Sequence, residues 1–462
     1  MFIPAQPQAY ELFHKGAQAL SIVESNGIVV DVPYLLKAIK KVKKRVRRMQ
    51  DELREDPIYH EWRKAFSDRL NLDSGQQLGV VLFDILKLPC SRRTSNNKPA
   101  TDKDSLEVIA LEIPFVRKLL RLRKYQKLQG TYLTGLLREV NEEDGLLHPF
   151  FNLHNVRTYR GSSANPNFQN LPIRDDEIAK IIRRAFISRP GYVLVEVDFS
   201  GVEVRVAACY NKDPALIEEI MNPERDMHRD MAGECYMLAP EDVTKLMRYC
   251  GKNKFVFPEF YGSYFAQLVG PLWESIETFK FEHNGVSLYE HLAENGVTEP
   301  GACLGKPVPG TFENHLKSVE KRFWDQRFSV YRDWKKKWYA KYLRTGGFTT
   351  LTGFRCEGVM KRNDVSNYPI QGSAFHCLLA SLIELQRRMR KKKMGSLIVG
   401  QIHDSIVADI RIEELYDYLA MAVEVMTRWL PKKFKWINVP IEVEAEVCPV
   451  GGNWYQKKEV KL

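Results

Sequence analysis

Tyr192-Val193-Leu194-Val195-Glu196-Val197-Asp198-Phe199-Ser200-Gly201-Val202-Glu203-Val204-Arg205 reads as an apolar strand that ends on an acid and runs into a helix. A second apolar run, Leu397-Ile398-Val399-Gly400-Gln401-Ile402-His403-Asp404, delivers another aspartate in the same way. Acids are common at strand ends and in turns, so each alone is unremarkable. Together they offer two carboxylates on rigid elements. A pair of hard divalent cations needs such oxygen ligands and would stabilise both the attacking and the leaving oxygen of a phosphoryl transfer. Glu203 lies one turn into the helix that follows Asp198, so its carboxylate can face the same cavity without binding metal.

The 462 residues exceed what one compact core accommodates and predict two to four subdomains. Lys and Arg outnumber Asp and Glu by 69 to 58, a net charge of +11 that favours a polyanionic partner such as nucleic acid. Eight scattered cysteines without a Cys-x-x-Cys pair point to neither a disulfide framework nor a zinc site, and fit a reducing compartment. The N-terminus lacks a secretory pattern, and no run has the eighteen or so apolar residues of a membrane span. The expected location is intracellular and cytoplasmic, with an organelle still compatible.

Residues 33–56 read as a helix with Leu35, Leu36, Ile39, Val42, Val46 and Met49 on one face and lysines and arginines on the other. A second basic helix follows around Arg117–Lys127; together the two could give salt-dependent, sequence-independent binding to a nucleic-acid backbone. Between them, Ser91–Asp104 reads as a flexible loop. Residues 147–172 are irregular and polar. Helices are expected over 201–222, 227–237, 242 to about 265, 312–345, 370–393 and 412–429. Strands are expected at 347–352 and 439–447, with a strand–turn–strand at 396–410. This interleaving fits an antiparallel sheet backed by helices, an α+β fold. Gly301-Ala302-Cys303-Leu304-Gly305-Lys306 imitates a phosphate-cradling loop but is one residue short between its glycines, with Pro307 where Ser or Thr would ligate magnesium. It reads as a surface loop.

Asp198-Phe199-Ser200-Gly201-Val202-Glu203-Val204-Arg205 resembles the first palm motif of family A DNA polymerases, and His403-Asp404-Ser405 the last. Arg248-Tyr249-Cys250-Gly251-Lys252 with Phe257 and Tyr261-Gly262 resembles the family's nucleotide-gripping fingers helix. Thr158–Ser163, Asn167–Pro172, Asn367–Ala374 and the thumb-like Ser74–Leu78 match in the same order. The resemblance runs from about Ile22 to Trp454. It implies a right-hand fold with an N-terminal lead-in at 1–20, thumb at 21–145, palm at 146–212 and 346–462, and fingers at 213–345 carrying an insertion at about 265–315.

The implied activity is DNA-templated extension of a primer by two-metal nucleotidyl transfer. Asp198, Asp404 and the Phe199 carbonyl would hold two Mg2+ ions, which Mn2+ could replace. The implied catalytic residues are Asp198, Asp404 and Lys252; the implied dNTP contacts are Glu203, His228, Arg248, Lys252, Lys254, Phe257 and Tyr261. Primer–template DNA would meet Arg160, Asn170, Arg355, Asn367, Gln371 and His403. A separate exonuclease, helicase or processivity factor would be a further partner; a membrane would not. With only some twenty residues ahead of the thumb-like region, no complete 3′-5′ exonuclease domain and no proofreading are expected. A bacteriophage source fits these features.

The sequence departs from the family pattern in four places. Lys252 and Phe257 are five apart where the family has four, which keeps Lys254 open as the phosphate contact. Pro258 should kink the helix. Ser405 stands where DNA polymerase I has glutamate. The family arginine four residues before Asn367 falls on Asn363, with Arg362 offset by one. Ser405 favours a single-subunit RNA polymerase as the alternative, while Glu203 and the Gln76-Gln77-Leu78 segment oppose it. A reverse-transcribing polymerase would differ in template tolerance alone. From another class, a non-catalytic DNA-binding accessory protein would need neither aspartate.

Overall fold

The computed structural model describes residues 3–88, 90, 93, 94, 98–173, 175–303, 305 and 307–462. At its centre is a five-stranded sheet in the order Leu397–Ile402, Ser405–Arg411, Tyr192–Phe199, Val443–Val447, Lys458–Val460. Every neighbouring pair is antiparallel, as expected. Tyr192–Phe199 occupies the middle because Val193, Leu194, Val195 and Val197 are all buried, so the strand needs cover on both faces. Its register places Ser405 on one side of Asp198 and Glu444 on the other.

The helix Arg362–Lys391 packs along the sheet and contacts both Val202–Asn211 and the N-terminal helix Pro7–Asn26. Pro7–Asn26 was not anticipated; much of it lies in the stretch read as a lead-in, and it buries Ala9, Leu12, Gly16, Ala19, Leu20 and Val23 at helical spacing. The expected helix at 33–56 is found at Val32–Arg54, with Leu35, Ala38, Val42, Val46, Met49 and Leu53 buried and Asp31 capping its first turn. It packs against Pro114–Lys127.

Several expected boundaries move for local reasons. The single helix expected over 201–222 is two, Val202–Asn211 and Pro214–Met221. Asp213 accepts from the amides of Ala215 and Leu216 and Pro214 takes the first helical position, so the Asp-Pro pair starts a new helix. The 312–345 helix breaks at Phe328 into Phe312–Arg327 and Ser329–Thr345. The 347–352 strand is shorter, Gly347–Thr349, and turns back into Phe354–Glu357. The 370–393 helix begins earlier, at Arg362, and carries Pro369 inside. Of the Ser91–Asp104 loop, residues 91, 92 and 95–97 lie outside the described set, and a helix capped by Asp102 begins at Lys103.

The phosphate-loop imitation is filled from within. The amides of Cys303 and Gly305 both donate to the buried Glu313 carboxylate, at 3.1 and 2.8 Å; Leu304 and Lys306 lie outside the described residues.

Candidate active site

Asp198 ends the central strand, and Asp404 sits in the hairpin turn between Leu397–Ile402 and Ser405–Arg411. The amide of Phe199 donates to the Asp404 carbonyl at 3.2 Å, fixing the two acidic ends to one another. His403 holds the turn with a positive φ of 51°, a conformation a non-glycine residue keeps only under constraint. Buried Gln401 supplies it by donating to the His403 carbonyl at 2.7 Å, and Gln169 in turn bonds Gln401. Burial pushes the Asp198 carboxyl up to about 8, helped by the charge of Asp404, and burial raises Asp404 as well. Asp198 Oδ1 is buried with no hydrogen-bond partner among the described residues.

Beside this pair lies a cavity of about 340 Å³. Arg160, Glu203, Phe257, Tyr261, Asn367, His403 and Asp404 all line it, and they come from five separate stretches of sequence. Glu203 accepts from both Arg160 and the Tyr261 hydroxyl, so one carboxylate ties three of the predicted residues together. Arg160 is presented by its neighbour Tyr159, whose ring is buried against Phe13, Phe354 and His376 and whose hydroxyl bonds the Arg355 carbonyl. Gly201, Val202, Val204, Ala207, Phe260, Tyr331 and Ile370 complete the lining, and sequence reasoning gave none of them a role in the site. For Tyr331 the signal was Asp213, which caps its own helix and also accepts from the Tyr331 amide at 2.8 Å.

The helix expected from 242 runs from Lys245 to Tyr261, and its middle, Gly251–Val256, is a π-type turn. A π turn takes up one extra residue. It brings Lys252 and Phe257, five apart, onto one face, with the ammonium 5.4 Å from the ring centroid. Lys254 points elsewhere, donating to the Pro271 carbonyl at 2.7 Å. The helix continues through Pro258, whose missing amide falls just after the wide turn.

Gly251 allows the helix Met227–Tyr236 to approach, since a Cβ there would lie 2.5 Å from the His228 carbonyl. His228 consequently meets Phe257 edge-on, with centroids 5.7 Å apart. Burial, then the charges of Lys252 and Arg248, hold His228 down at about 4, so it is neutral near pH 7. Arg248 is steadied by Asp226 at 2.6 Å. At the far end Gly262 turns with φ 95°, and Asn363 and Asn367 donate to the carbonyls of Gly262 and Tyr261. A side chain at 262 would meet Asn363 at 2.4 Å.

Other predicted residues stand apart from the cavity lining. Gln371 is half-buried on the long helix. Asn170 is exposed, and the Arg355 guanidinium pairs with Glu357.

Residues 37–275 and 323–456 match the family model described as DNA polymerase family A. The chain belongs to that family. It is 29% identical to the thermostable DNA polymerase I of Thermus thermophilus over 96% of its own length and 48% of the relative's. With DNA polymerase I of Geobacillus stearothermophilus it shares 29% identity over 97% of its length and 46% of the relative's. The chain thus spans about half the length of the curated relatives it matches. Among solved structures it resembles the POL domain of Pol1 from M. smegmatis in complex with DNA primer-template and dNTP, with a TM-score of 0.76 and 25% identity over 96% of this chain and 70% of that one. The family A model leaves 276–322 unmatched, a stretch containing most of the expected insertion. That stretch includes a short hairpin, Glu282–His283 with Val286–Ser287, and the helix Leu288–Glu294.

Proposed function

We propose that this family A chain is a DNA-templated DNA polymerase that extends a primer 3′ end with dNTPs. The observation that carries this reading is the single cavity that brings Glu203, Phe257 and Tyr261 to Arg160, His403 and Asp404. In this reading the central sheet is the palm, the Lys245–Tyr261 helix belongs to the fingers and the N-terminal helices form the thumb.

The residues present fit a divalent metal site: two half-buried carboxyl groups are pressed together, and Asp198 Oδ1 is a buried oxygen without a hydrogen-bond donor among the described residues. Asp198, Asp404 and the Phe199 carbonyl would hold Mg2+ or Mn2+, which when bound would acidify the primer hydroxyl and offset the charge of the triphosphate. The rest falls to the chain itself. Lys252 offers a cation to the phosphates from the same face as Phe257, and Arg248, held by Asp226, adds a second. His228, neutral and half-buried, can donate a hydrogen bond without adding charge. Phe257 and Tyr261 present a tilted ring pair, centroids 6.4 Å apart, for base and sugar to pack on. Glu203, held from two sides, would exclude a ribose 2′-hydroxyl. Sequence choice would come from template pairing, so Arg160 and His403 need only meet acceptors that all base pairs share.

The test is extension of a labelled primer in Mg2+ by the wild type, Asp198→Asn and Asp404→Asn, with deoxy- and ribonucleotides compared. Loss of extension with primer–template binding retained supports the reading; substantial extension by either variant would sink it. Ribonucleotides used as readily as deoxynucleotides would turn the assignment to the RNA polymerase alternative that Ser405 favours.

A further inference from the structure

Ser405 is the one departure beside the aspartates that removes a charge, and the structure shows what stands next to it. Ser405 pairs with Asp198 across the sheet, and its hydroxyl lies 3.0 Å from Glu196 Oε1. Glu196 precedes Asp198 by two residues on the same strand, so both side chains point to one face, about 7 Å apart along the chain. It is held closely: Trp454 Nε1 donates to its second oxygen at 2.9 Å and Lys457 Nζ at 2.6 Å. Lys457 is shared with Glu446, the residue paired with Glu196 in the next strand. Arg183, buried and stacked on Trp454 at 4.1 Å, also faces Glu196 electrostatically. Glu196 and Glu446 are matched by Lys457 and Arg183, while Glu444, opposite Asp198 in the register and bonded by the Ser200 hydroxyl, adds its negative charge to that of Asp198 and Asp404.

We propose that Glu196 is a positioning residue for divalent cations: its carboxylate, fixed by Ser405, Trp454 and Lys457, supplies from the neighbouring strand the negative charge that the family pattern carries at position 405, and Lys457 sets how much of that charge Asp198 and Asp404 feel. The inference rests on the metal site of the proposed function. Glu196 does not contact the ion. It acts through the field at Asp198 and through the Ser405 bond, which anchors the residue after Asp404. Two substitutions in the same cluster therefore have opposite signs. Removing the acid leaves the layer net positive and weakens cation binding, and removing the lysine leaves it net negative and strengthens binding. A purely structural cluster would weaken it both ways.

The experiment measures Mn2+ binding to the full chain, without DNA or nucleotide, from the electron paramagnetic resonance signal of free Mn2+. Glu196→Gln is expected to weaken binding about three- to tenfold and Lys457→Met to tighten it by a similar factor, the size of a single charge acting at this distance in a partly screened site. The double variant Glu196→Gln with Ser405→Glu, which returns the carboxylate to position 405, should bind within about twofold of wild type on the same scale. Shifts of equal sign for the two single variants, or no shift in Glu196→Gln, would overturn the proposal. Should Lys457→Met fail to give a folded melting transition, Glu196→Gln against the double variant decides. Asp198→Asn separates the two levels: if it leaves Mn2+ binding intact, the metal site itself is wrong and both readings fall. If it abolishes binding while Glu196→Gln binds normally, only the role of Glu196 fails.

Discussion

Two pairs of carboxyl groups, buried or half-buried, lie in different surroundings in this molecule. Asp198 and Asp404 meet at strand ends, with Asp404 lining a cavity. Glu259 and Glu320 meet between helices, where Trp324 Nε1 donates to Glu259 at 2.7 Å and Lys335 lies 4.2 Å from the Trp324 ring centroid. Asp198 and Glu259 have raised proton affinity from burial first and from the like charge beside them second, and burial raises Asp404 and Glu320 as well. They resolve the repulsion differently. At the sheet no lysine or arginine among the described residues pairs with Asp198, so the pair suits an exchangeable cation. Among the helices, Lys335 is spent on the carbonyls of Glu259 and Phe260, and a retained proton is the simplest compensation. Both pairs border a cavity, of about 340 and 360 Å³, and the helical one is lined by Arg332, Lys335, Lys336 and Arg362 as well, so a shifted carboxyl group does not by itself mark a reaction centre; the charges that share its cavity matter too.

Breaking the sheet pair should have the largest effect. Asp404→Asn is expected to lower primer extension by about three orders of magnitude, read by single-turnover kinetics, with DNA affinity within about twofold of wild type. Next comes stabilisation by ligand: Mg2+ at about one hundred times its dissociation constant should add about 2.7 kcal/mol to the unfolding free energy of the wild type. Asp198→Asn should lose that increment in a denaturant titration and Glu259→Gln should keep it. Within the helical pair, Trp324→Phe strips Glu259 of its donor and is expected to cost about 1–2 kcal/mol.

Smallest, and most diagnostic, is Glu259→Gln. Glu259 is pushed up to about 8 in the fold, above its unfolded value, so the folded state holds the proton more tightly and stability declines as pH rises between the two values. The glutamine variant cannot lose that proton. It should melt close to wild type near pH 5 and above it at pH 9; parallel melting curves at both pH values would show that Glu259 is not the titrating group.

Much of this was legible because it is local. The strand ends at Asp198 and Asp404, the antiparallel hairpin and the basic helix at Val32–Arg54 follow from residue periodicity. The Asp213-Pro214 break was equally readable and was overlooked. What escaped is non-local. Phe13, Tyr159, Phe354 and His376 come from four distant segments, and only their meeting explains how Arg160 is aimed. Glu196 reads as one acid in an apolar strand until Lys457 and Trp454 return to it. Lys252 and Phe257 are a third kind of case: the sequence displays the anomaly of five residues, but a 3.6-residue period has no place for it.

The wide turn at Gly251–Val256 has a consequence for how such chains are compared. A residue added to a regular helix rotates everything beyond it by about 100°, which would turn Phe257 and Tyr261 away from their cavity. Here the added residue is absorbed within one loop of backbone, and the azimuth of both rings is kept. Along this segment the angle around the axis, rather than the count of residues, is the coordinate in which kinship should be measured.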